Sequence, residues 1–598
     1  MEVPSIDRIY KAIEAADNAH KPHRELRGEL LRIYMGAVND RVGNMGLASD
    51  GNRRVRRVVN LTAQTIDVLS AVLSGSDPRH VLLPKRNELS GEAMLLESML
   101  DQAWIDQAIR TEVLEMCVFD ALVYPMGIAM WGIKAGSSQV LINNESVDLG
   151  EYFIARIDPD DYGIDPHART WGERSFEFHR FRVGRDYALE CGLFAGKEEI
   201  IKMMPAVHNL GMGDEAGSRS SEMVSANDTN RKDPLYDQIE LIQMTMYLGD
   251  DNVQEIIIPS RRVKTDSMSN EDHILQLKKY EGPKGGRYRI LRLRPIPNNI
   301  MGTHPVGQQM DLANAVDKVA GKLINQMHRS KTIYGYARAV EHEALEVKDA
   351  PDGATVAMDD PKNHVMLQFG GVIEQFFDGL KWMMSQYNNI TGNVQQLGGS
   401  GQLGETGTAT EAQLLQNNAN RGATVLDRRV VGFAGELSKM LAWSFVTDPL
   451  IQRPTSVRIP GGEKLDLVYD AATRRGGYLD FNYNILQDTL APMDPTVRRA
   501  MLLELFRTIN ELLPYMQAGV YNSTPTLQVL GSEFGRPDLD NLVNDPRIAA
   551  MDSAMLAPTS AGAMPGMPQQ PTTGPGAVGA PSRSQSPQAA RQSATAVP

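Results

Sequence analysis

The stretch GGSGQLGETGTATEAQ, residues 398–413, carries the residue types that could cradle a phosphate. Gly399, Gly401 and Gly404 are spaced G-x-G-x-x-G, a pattern that lets backbone approach a dinucleotide pyrophosphate. Gly399 to Thr406 is also one residue away from a P-loop. Each reading needs more than glycine. A dinucleotide site needs a strand before the loop and a helix packed directly after it. The segment before this loop has helical periodicity and ends in the polar NNITGNVQQL. A P-loop needs a lysine to reach the β- and γ-phosphates. Glu405 stands in that place, and its carboxylate would repel phosphate. The remaining reading is a flexible loop between two helices. Thr408 and Glu411 are spaced as a capping box that starts the second helix. No cofactor is expected.

The next candidate is IDPDDYGIDPHARTWGERSFEFH, with Asp158, Asp160, Asp161, Asp165, His167, Glu173 and His179. Its spacing fits neither an EF-hand nor a zinc set. The Asp-Pro pairs at 158–159 and 165–166 are turn formers, so structural turns are expected rather than a metal. RRVRRVV at 53–59 reads as a solvated or subunit-facing basic surface. RYRILRLRP, with Arg287, Arg289, Arg292 and Arg294, reads as a strand whose basic face meets an acidic neighbour. EHEALE at 341–346 is not H-E-x-x-H. No Ser–His–Asp or Cys–His arrangement stands out, so no catalytic residue is expected.

Bulk properties narrow the class. With 598 residues the chain exceeds one hydrophobic core, and two to four domains or layers are expected. It carries 61 Lys and Arg against 74 Asp and Glu, a net charge of −13. A protein that grips DNA over a broad surface would be basic, so any DNA contact should be local or weak. Cys117 and Cys191 provide no disulfide framework and no zinc spacing. The charged N-terminus lacks an apolar signal core, and VFDALVYPMGIAMWGI is broken by Asp120 and Pro125 and is too short to span a bilayer. No membrane segment is expected.

The elements that would position these residues follow from periodicity. Residues 5–20 and 25–36 read as two amphipathic helices. A third spans 60–75, with Asn60 as N-cap and Gly75 as its stop. Residues 91–123 form one long helix or a hairpin of two. From about 137 to 295 the texture is β-rich, with strands at YFIARIDP, FEFHRFRV, IELIQMTMYL, VQEIIIPS and RYRILRLRP. A polar loop near 210–233 looks like a surface insertion. In the next helix Val306, Met310, Ala313, Val316, Ala320, Leu323 and Met327 share one face. A β-like stretch with the turn APDG follows, from 332 to about 368. A second helix carries Ile373, Phe376, Phe377, Leu380, Met383, Met384 and Tyr387. After the glycine loop, about 408–446 is one helix of roughly 58 Å, bent near Gly422, Gly432 and Gly435. SVRIPGG and YLDFNYNIL read as strands, and Asp494 with Pro495 starts a further helix. The Pro, Ala, Gln, Gly and Ser tail has too few apolar residues to order itself.

The order helix, short β insert, helix, glycine loop ending in TGTATEAQ, long helix resembles a tailed-phage portal protein, the head–tail connector. PDDYGIDPHARTWGERSFEFHRF and NNITGNVQQLGGSGQLGETGTATEAQLLQNNANR carry the likeness, which covers about residues 30–545. The resemblance implies an α+β, portal-like fold: a helix-rich wing and crown, paired stem helices and a small β-containing clip. Laid on this chain, residues 1–303 are the wing, 304–331 and 369–391 the stem helices, and 332–368 the clip. Residues 392–408 are the tunnel loop, 409–493 the long bent helix and return to the wing, and 494–545 the crown. The tail at 546–598 lies outside the likeness. The resemblance also implies a homo-oligomeric ring, a dodecamer, at one capsid vertex of a virion assembled in the host cytoplasm. Double-stranded DNA would pass through it, and terminase large subunit, a head–tail adaptor, and major capsid and scaffolding proteins would be its partners. DNA-facing residues would be Gln395, Gln396, Gly399, Gly401, Gln402, Gly404 and Glu405. Lys318, Lys322 and Arg329 would touch phosphates on the stem, and Tyr334, Tyr336 and Arg338 would meet the adaptor at the clip. Two other classes stay open: another structural virion protein, such as a scaffold or tail component, and a nucleotide-binding enzyme using the 399–406 loop.

Overall fold

The first helix, α1, runs over Ile6–Tyr34 straight through Pro22. The two periodic stretches that the sequence separates are therefore one element. A proline inside a helix loses a hydrogen bond and crowds the preceding turn. Burial on both sides outweighs that here: Ile9, Ile13 and Ala16 before Pro22 and Arg27, Leu30 and Ile33 after it are all buried. The computed structural model describes residues 4–35, 59–75, 78–134, 139–142, 145–148, 150–206, 237–249, 252–262, 273–329, 331–336, 341–349, 355, 364–369, 374–392, 409–458, 464–471 and 474–485, with short helical pieces between 503 and 512. All of them belong to one unit, Met1–Leu542.

Helix α2 (Leu61–Ser74) starts where expected, because the Asn60 side chain accepts the Ala63 N–H at 3.1 Å, and it stops at Gly75. Strand β1 (His80–Pro84) leads to α3 (Ser90–Asp106). Residues 91–123 are not one helix but two helical segments separated by a turn at 107–108. Ala108 adopts a left-handed conformation at φ 49°, a π-helical turn spans Ile109–Leu114, and α4 (Glu115–Val123) follows. The apolar run after it is strand β2 (Gly127–Lys134), so the β-rich part begins about ten residues earlier than its composition suggests.

Then come β3 (Gln139–Ile142), β4 (Glu145–Asp148), β5 (Glu151–Ile157), β6 (Tyr162–Ile164) and β7 (Phe176–Gly184). Short helices α5 (Arg185–Glu190) and α6 (Glu198–Met203) precede β8 (Gln238–Tyr247), β9 (Val253–Pro259), β10 (Gln276–Lys279) and β11 (Tyr288–Leu291). RYRILRLRP is thus a strand only in its first half. One antiparallel sheet has the order β10-β9-β8-β7-β6, and a second has β11-β2-β5.

The middle of the chain is α7 (Met310–Arg329), β12 (Lys331–Tyr336), α8 (Glu341–Asp349), β13 (His364–Phe369) and α9 (Glu374–Thr391). The stretch read as wholly β-like holds a helix, α8, between two paired strands. Helix α10 (Ala409–Thr447) begins one residue after Thr408, where a cap at that position would start it. Strands β14 (Gln452–Arg458), β15 (Lys464–Asp470) and β16 (Phe481–Ile485) close the described part. β15 carries no expectation from periodicity, and it pairs with β14. β1 pairs with β16, His80 opposite Ile485, so the two ends of the body share a ribbon. The architecture is α+β. No helix among the described residues is long and apolar enough to cross a membrane.

The main core joins α2, α3, α4 and β2 to the second half of α10 and to β16. Gly127 marks its tightest point. A Cβ there would lie 2.7 Å from the Cys117 carbonyl carbon and 2.9 Å from its Cα, inside contact distance of backbone that side-chain motion cannot relieve. Gly127→Ala is expected to lower unfolding free energy by about 1–3 kcal/mol in denaturant titration, as overpacking does in rigid cores.

Candidate functional site

The helix–hairpin–helix excursion, α7 to α9, is the part whose residues were singled out for function. Ala313 and Val316, in the first half of α7, share a cluster with Leu380 in the middle of α9 and with Met383, Met384 and Tyr387 of its second half. The pair is therefore antiparallel, as two helices joined by a hairpin must be. Polar contacts fix its base to α2. The Tyr387 hydroxyl lies 2.7 Å from the Thr65 hydroxyl and donates to the Leu61 carbonyl at 3.2 Å. Asp317 accepts the Val59 N–H at 3.1 Å. A buried phenol with no partner would be costly, so these contacts set where the pair leaves the body.

The pair also keeps apolar side chains in solvent. Trp382 is 64% exposed, Ile390 53%, Met327 57% and Phe377 43%. Met327 and Phe377 sit in the expected apolar stripes, yet they meet no core among the described residues. Trp382 lies off the stripe, and a tryptophan on the polar side of an amphipathic helix was the available signal for it. Lys318 and Lys322 are exposed on α7, four residues apart and so on one face. Tyr334 and Tyr336 occupy β12 positions opposite Met366 and His364 of β13. Arg329 ends α7. Gln395, Gln396, Gly399, Gly401, Gln402, Gly404, Glu405 and Arg338 lie outside the described residues. So do Thr408, the APDG turn, the insertion near 210–233, most of RRVRRVV, Asp494 and the tail.

The acidic stretch at 158–179 forms turns. Asp158 accepts the Asp160 N–H at 3.0 Å, and Asp165 accepts those of His167 and Ser175 at 3.0 and 3.1 Å. Some of its carboxylates also hold arginines. Arg27 reaches Asp160 at 2.7 Å, Asp158 at 3.3 Å and the buried Asp120 at 3.4 Å, while Arg156 grips Asp120 at 2.5 and 2.9 Å. Burial pushes the Asp120 carboxyl up, and the two guanidiniums work against it. Among the described residues no group of three or more His, Cys, Asp or Glu could hold a metal ion. RYRILRLRP finds acidic neighbours for its first two arginines: Arg287 meets Glu255 at 2.8 Å and Arg289 meets Glu436 at 3.6 Å.

One arrangement has the residue types of a hydrolase triad and was not visible in the sequence. His80 Nδ1 lies 2.6 Å from Asp101 Oδ1, and His80 Nε2 lies 2.7 Å from Ser438 Oγ. The three come from β1, α3 and α10. With Nδ1–H donated to the carboxylate, Nε2 accepts the serine hydroxyl. The Ser438 oxygen also accepts the Trp104 indole N–H at 3.1 Å, and its hydroxyl is within reach of the Ala434 carbonyl at 2.9 Å. Ser438 is 1% exposed, and its hydroxyl is engaged by protein partners and turned from solvent. The geometry ties three elements together; it does not present a nucleophile.

A buried histidine set bears on acid stability. Burial pushes His20 down to about 3, with the Arg24 charge adding to the effect. Burial lowers His179 to about 3 and His304 to about 4. His20 is 2.6 Å from the Tyr124 hydroxyl, and His179 is 2.7 Å from that of Tyr288.

Two outcomes are expected. Ser438→Ala strands the indole of Trp104 and Nε2 of His80, and should cost about 1–3 kcal/mol in denaturant titration. For the histidines, the folded state binds fewer protons than the unfolded chain once pH falls below about 6.5. Their contribution is therefore complete above 6.5 and is lost as pH falls, down to about 4 for His304 and about 3 for His20 and His179. The slope is on the order of 1 kcal/mol per pH unit for each of His20 and His179. Buried Asp120 and Glu177, whose carboxyls are raised by burial, oppose part of this loss. His20→Gln should shift the acid-unfolding midpoint downward in a circular-dichroism titration.

No protein-family model matches this sequence, and no curated protein matches it significantly.

Proposed function

We propose that this chain is the subunit of a portal: a non-enzymatic ring at one capsid vertex through which double-stranded DNA is packaged and ejected. The carrying observation is the excursion α7–β12–α8–β13–α9, pinned at its base to α2 and bearing exposed Phe377, Trp382 and Ile390 on α9. Isolated exposed apolar residues are ordinary, but several on one helix pair favour a covered surface. In a ring, the same pair on each neighbour supplies that cover through a repeated head-to-tail contact that closes. Here 304–331 and 369–391 act as stem, 332–368 as clip, 1–303 with 409–493 as wing and 494–545 as crown.

Charge supports the reading. A net charge of −13 per subunit, repeated around a channel, repels a DNA duplex as a whole and leaves it free to slide. Exposed Lys318 and Lys322 then give weak local contact, and the glycine loop at 392–408 would face the moving duplex. In this proposal the clip, with Tyr334, Tyr336 and Arg338, docks the terminase large subunit and later the adaptor, and the subunit works within a virion of capsid and scaffolding proteins.

Particle imaging and mass measurement of the purified protein test this. A closed ring, most simply of twelve copies, is expected. Trp382→Asp should leave the monomer folded by circular dichroism and reduce ring yield at least tenfold. A chain that stays monomeric under every assembly condition overturns the proposal.

A further inference from the structure

Most buried and half-buried arginines among the described residues face a carboxylate. Arg27 and Arg156 share Asp120, Arg174 meets Glu177, and Arg287 meets Glu255. Three arginines near the start of α7 differ. Arg429 of α10 donates to the Leu293 carbonyl, which sits between Arg292 and Arg294 in the chain. Arg292 donates to the Ile300 carbonyl at 3.2 Å, and Arg294 to the Gln308 side-chain oxygen at 3.0 Å. All three are half-buried, and among the described residues none of them forms an ion pair. The charge acting on Arg292 is another guanidinium, that of Arg429. Carbonyl and amide oxygens take up N–H donors but leave the positive charges uncancelled.

In a chain with 74 acidic residues, carboxylates are plentiful, so this uncancelled charge is a local excess. It also continues outward. Gln308, bonded to Arg294, lies in the 3-10 turn Gly307–Gln309 just before α7, and an exposed row follows on α7 at Asp311, Lys318 and Lys322, spaced seven and four residues apart. Arg428, beside Arg429, is exposed as well. Apart from Asp311 the charged members of this track are cationic. A line of positive charge fits a polymer of regularly spaced anions better than a single small ion. Guanidinium forks donate to phosphate oxygens in pairs, and the phosphate supplies the negative charge that neutral carbonyls lack.

We infer that Arg292, Arg294 and Arg429 form a phosphodiester-binding site that joins the basic face of α7 into one track for the backbone of double-stranded DNA. The site rests on the portal reading for its ligand. Its contacts are to phosphates alone, so binding is independent of base sequence and steeply salt-dependent.

The test is binding of a fluorescent DNA duplex to the assembled full-length protein across a salt titration, with particle imaging of every variant. The triple variant Arg292→Gln, Arg294→Gln, Arg429→Gln should lower the slope of log Kd against log salt by about two to three, since each phosphate contact contributes about 0.9. The matching triple Lys variant keeps the charge and should keep the slope. Arg294→Gln alone, whose one partner is a side chain, should lower it by about one and guards against a triple variant that fails to fold. An unchanged slope in the Gln variants overturns the inference, as does a Lys variant that loses binding as fully as the Gln variant. A Gln variant that no longer assembles but binds DNA with the original slope assigns the arginines to carboxylates of a second copy, and also overturns it. If the unaltered protein forms no ring, the portal reading fails; if it forms rings whose DNA binding ignores these arginines, only this inference fails.

Discussion

The body depends on burying the second half of α10 among α2, α3, α4 and β2 from the start of the chain and β5, β11 and β16 from further on. Val430, Phe433, Leu437, Met440, Leu441 and Phe445 all enter that core. Burying such side chains is each worth about 1.5–3 kcal/mol, but the stripe by itself does not say where along α10 the partners lie. Two tryptophans do. The Trp104 indole donates to Ser438, and the Trp131 indole donates to Ser444 at 2.8 Å, with Trp131 also edge-on to Trp443 at 5.7 Å between centroids. A buried indole N–H without an acceptor is penalised, so these bonds restrict α10 to one axial register. The His80–Ser438 contact and the β1–β16 ribbon then follow from the same placement.

That register governs everything between. Strands β5 to β11 form sheets beside the core, and α7 to α9 leave it at a point set by Tyr387, Thr65 and Asp317. The same geometry explains why the excursion is half satisfied. Ala313, Val316 and Tyr387 are buried near the anchor, whereas Met327, Phe377 and Trp382 meet no core among the described residues. Where the chain is anchored, polar groups are paired; where it departs, apolar groups are left for another surface.

Electrostatics divides along similar lines. Arg27, Arg156, Arg174 and Arg287 are matched to buried carboxylates, which keeps a low-dielectric interior from holding unbalanced charge. The alternating arginines of 287–294 split at the end of β11. The first two find acids on neighbouring elements, and the last two find oxygens that carry no charge. Alternation along a strand predicted one basic face, but the strand ends at Leu291, and beyond it the backbone no longer holds that alternation.

Local chemistry alone determined a good deal. Asn60 can cap α2 and Gly75 can end it because those preferences act within one turn. The strands at 151–157, 176–184, 238–247 and 253–259 and the helix from 409 follow from periods of two and 3.6, which any window of the sequence displays. That Glu405 stands where a P-loop needs its lysine is likewise read from the sequence alone. Other features needed the whole fold. Helix α1 continues through Pro22 because both its halves are buried by elements far away in sequence. The π-helical turn after Ala108 and the pairing of His80 with Ile485 have no local signature. Asp101, His80 and Ser438 meet across more than three hundred residues, and whether they present a nucleophile or a brace depends on Trp104 and on burial. Periodicity states which face of an element is apolar; only tertiary packing supplies the atom that each polar group on that face must meet.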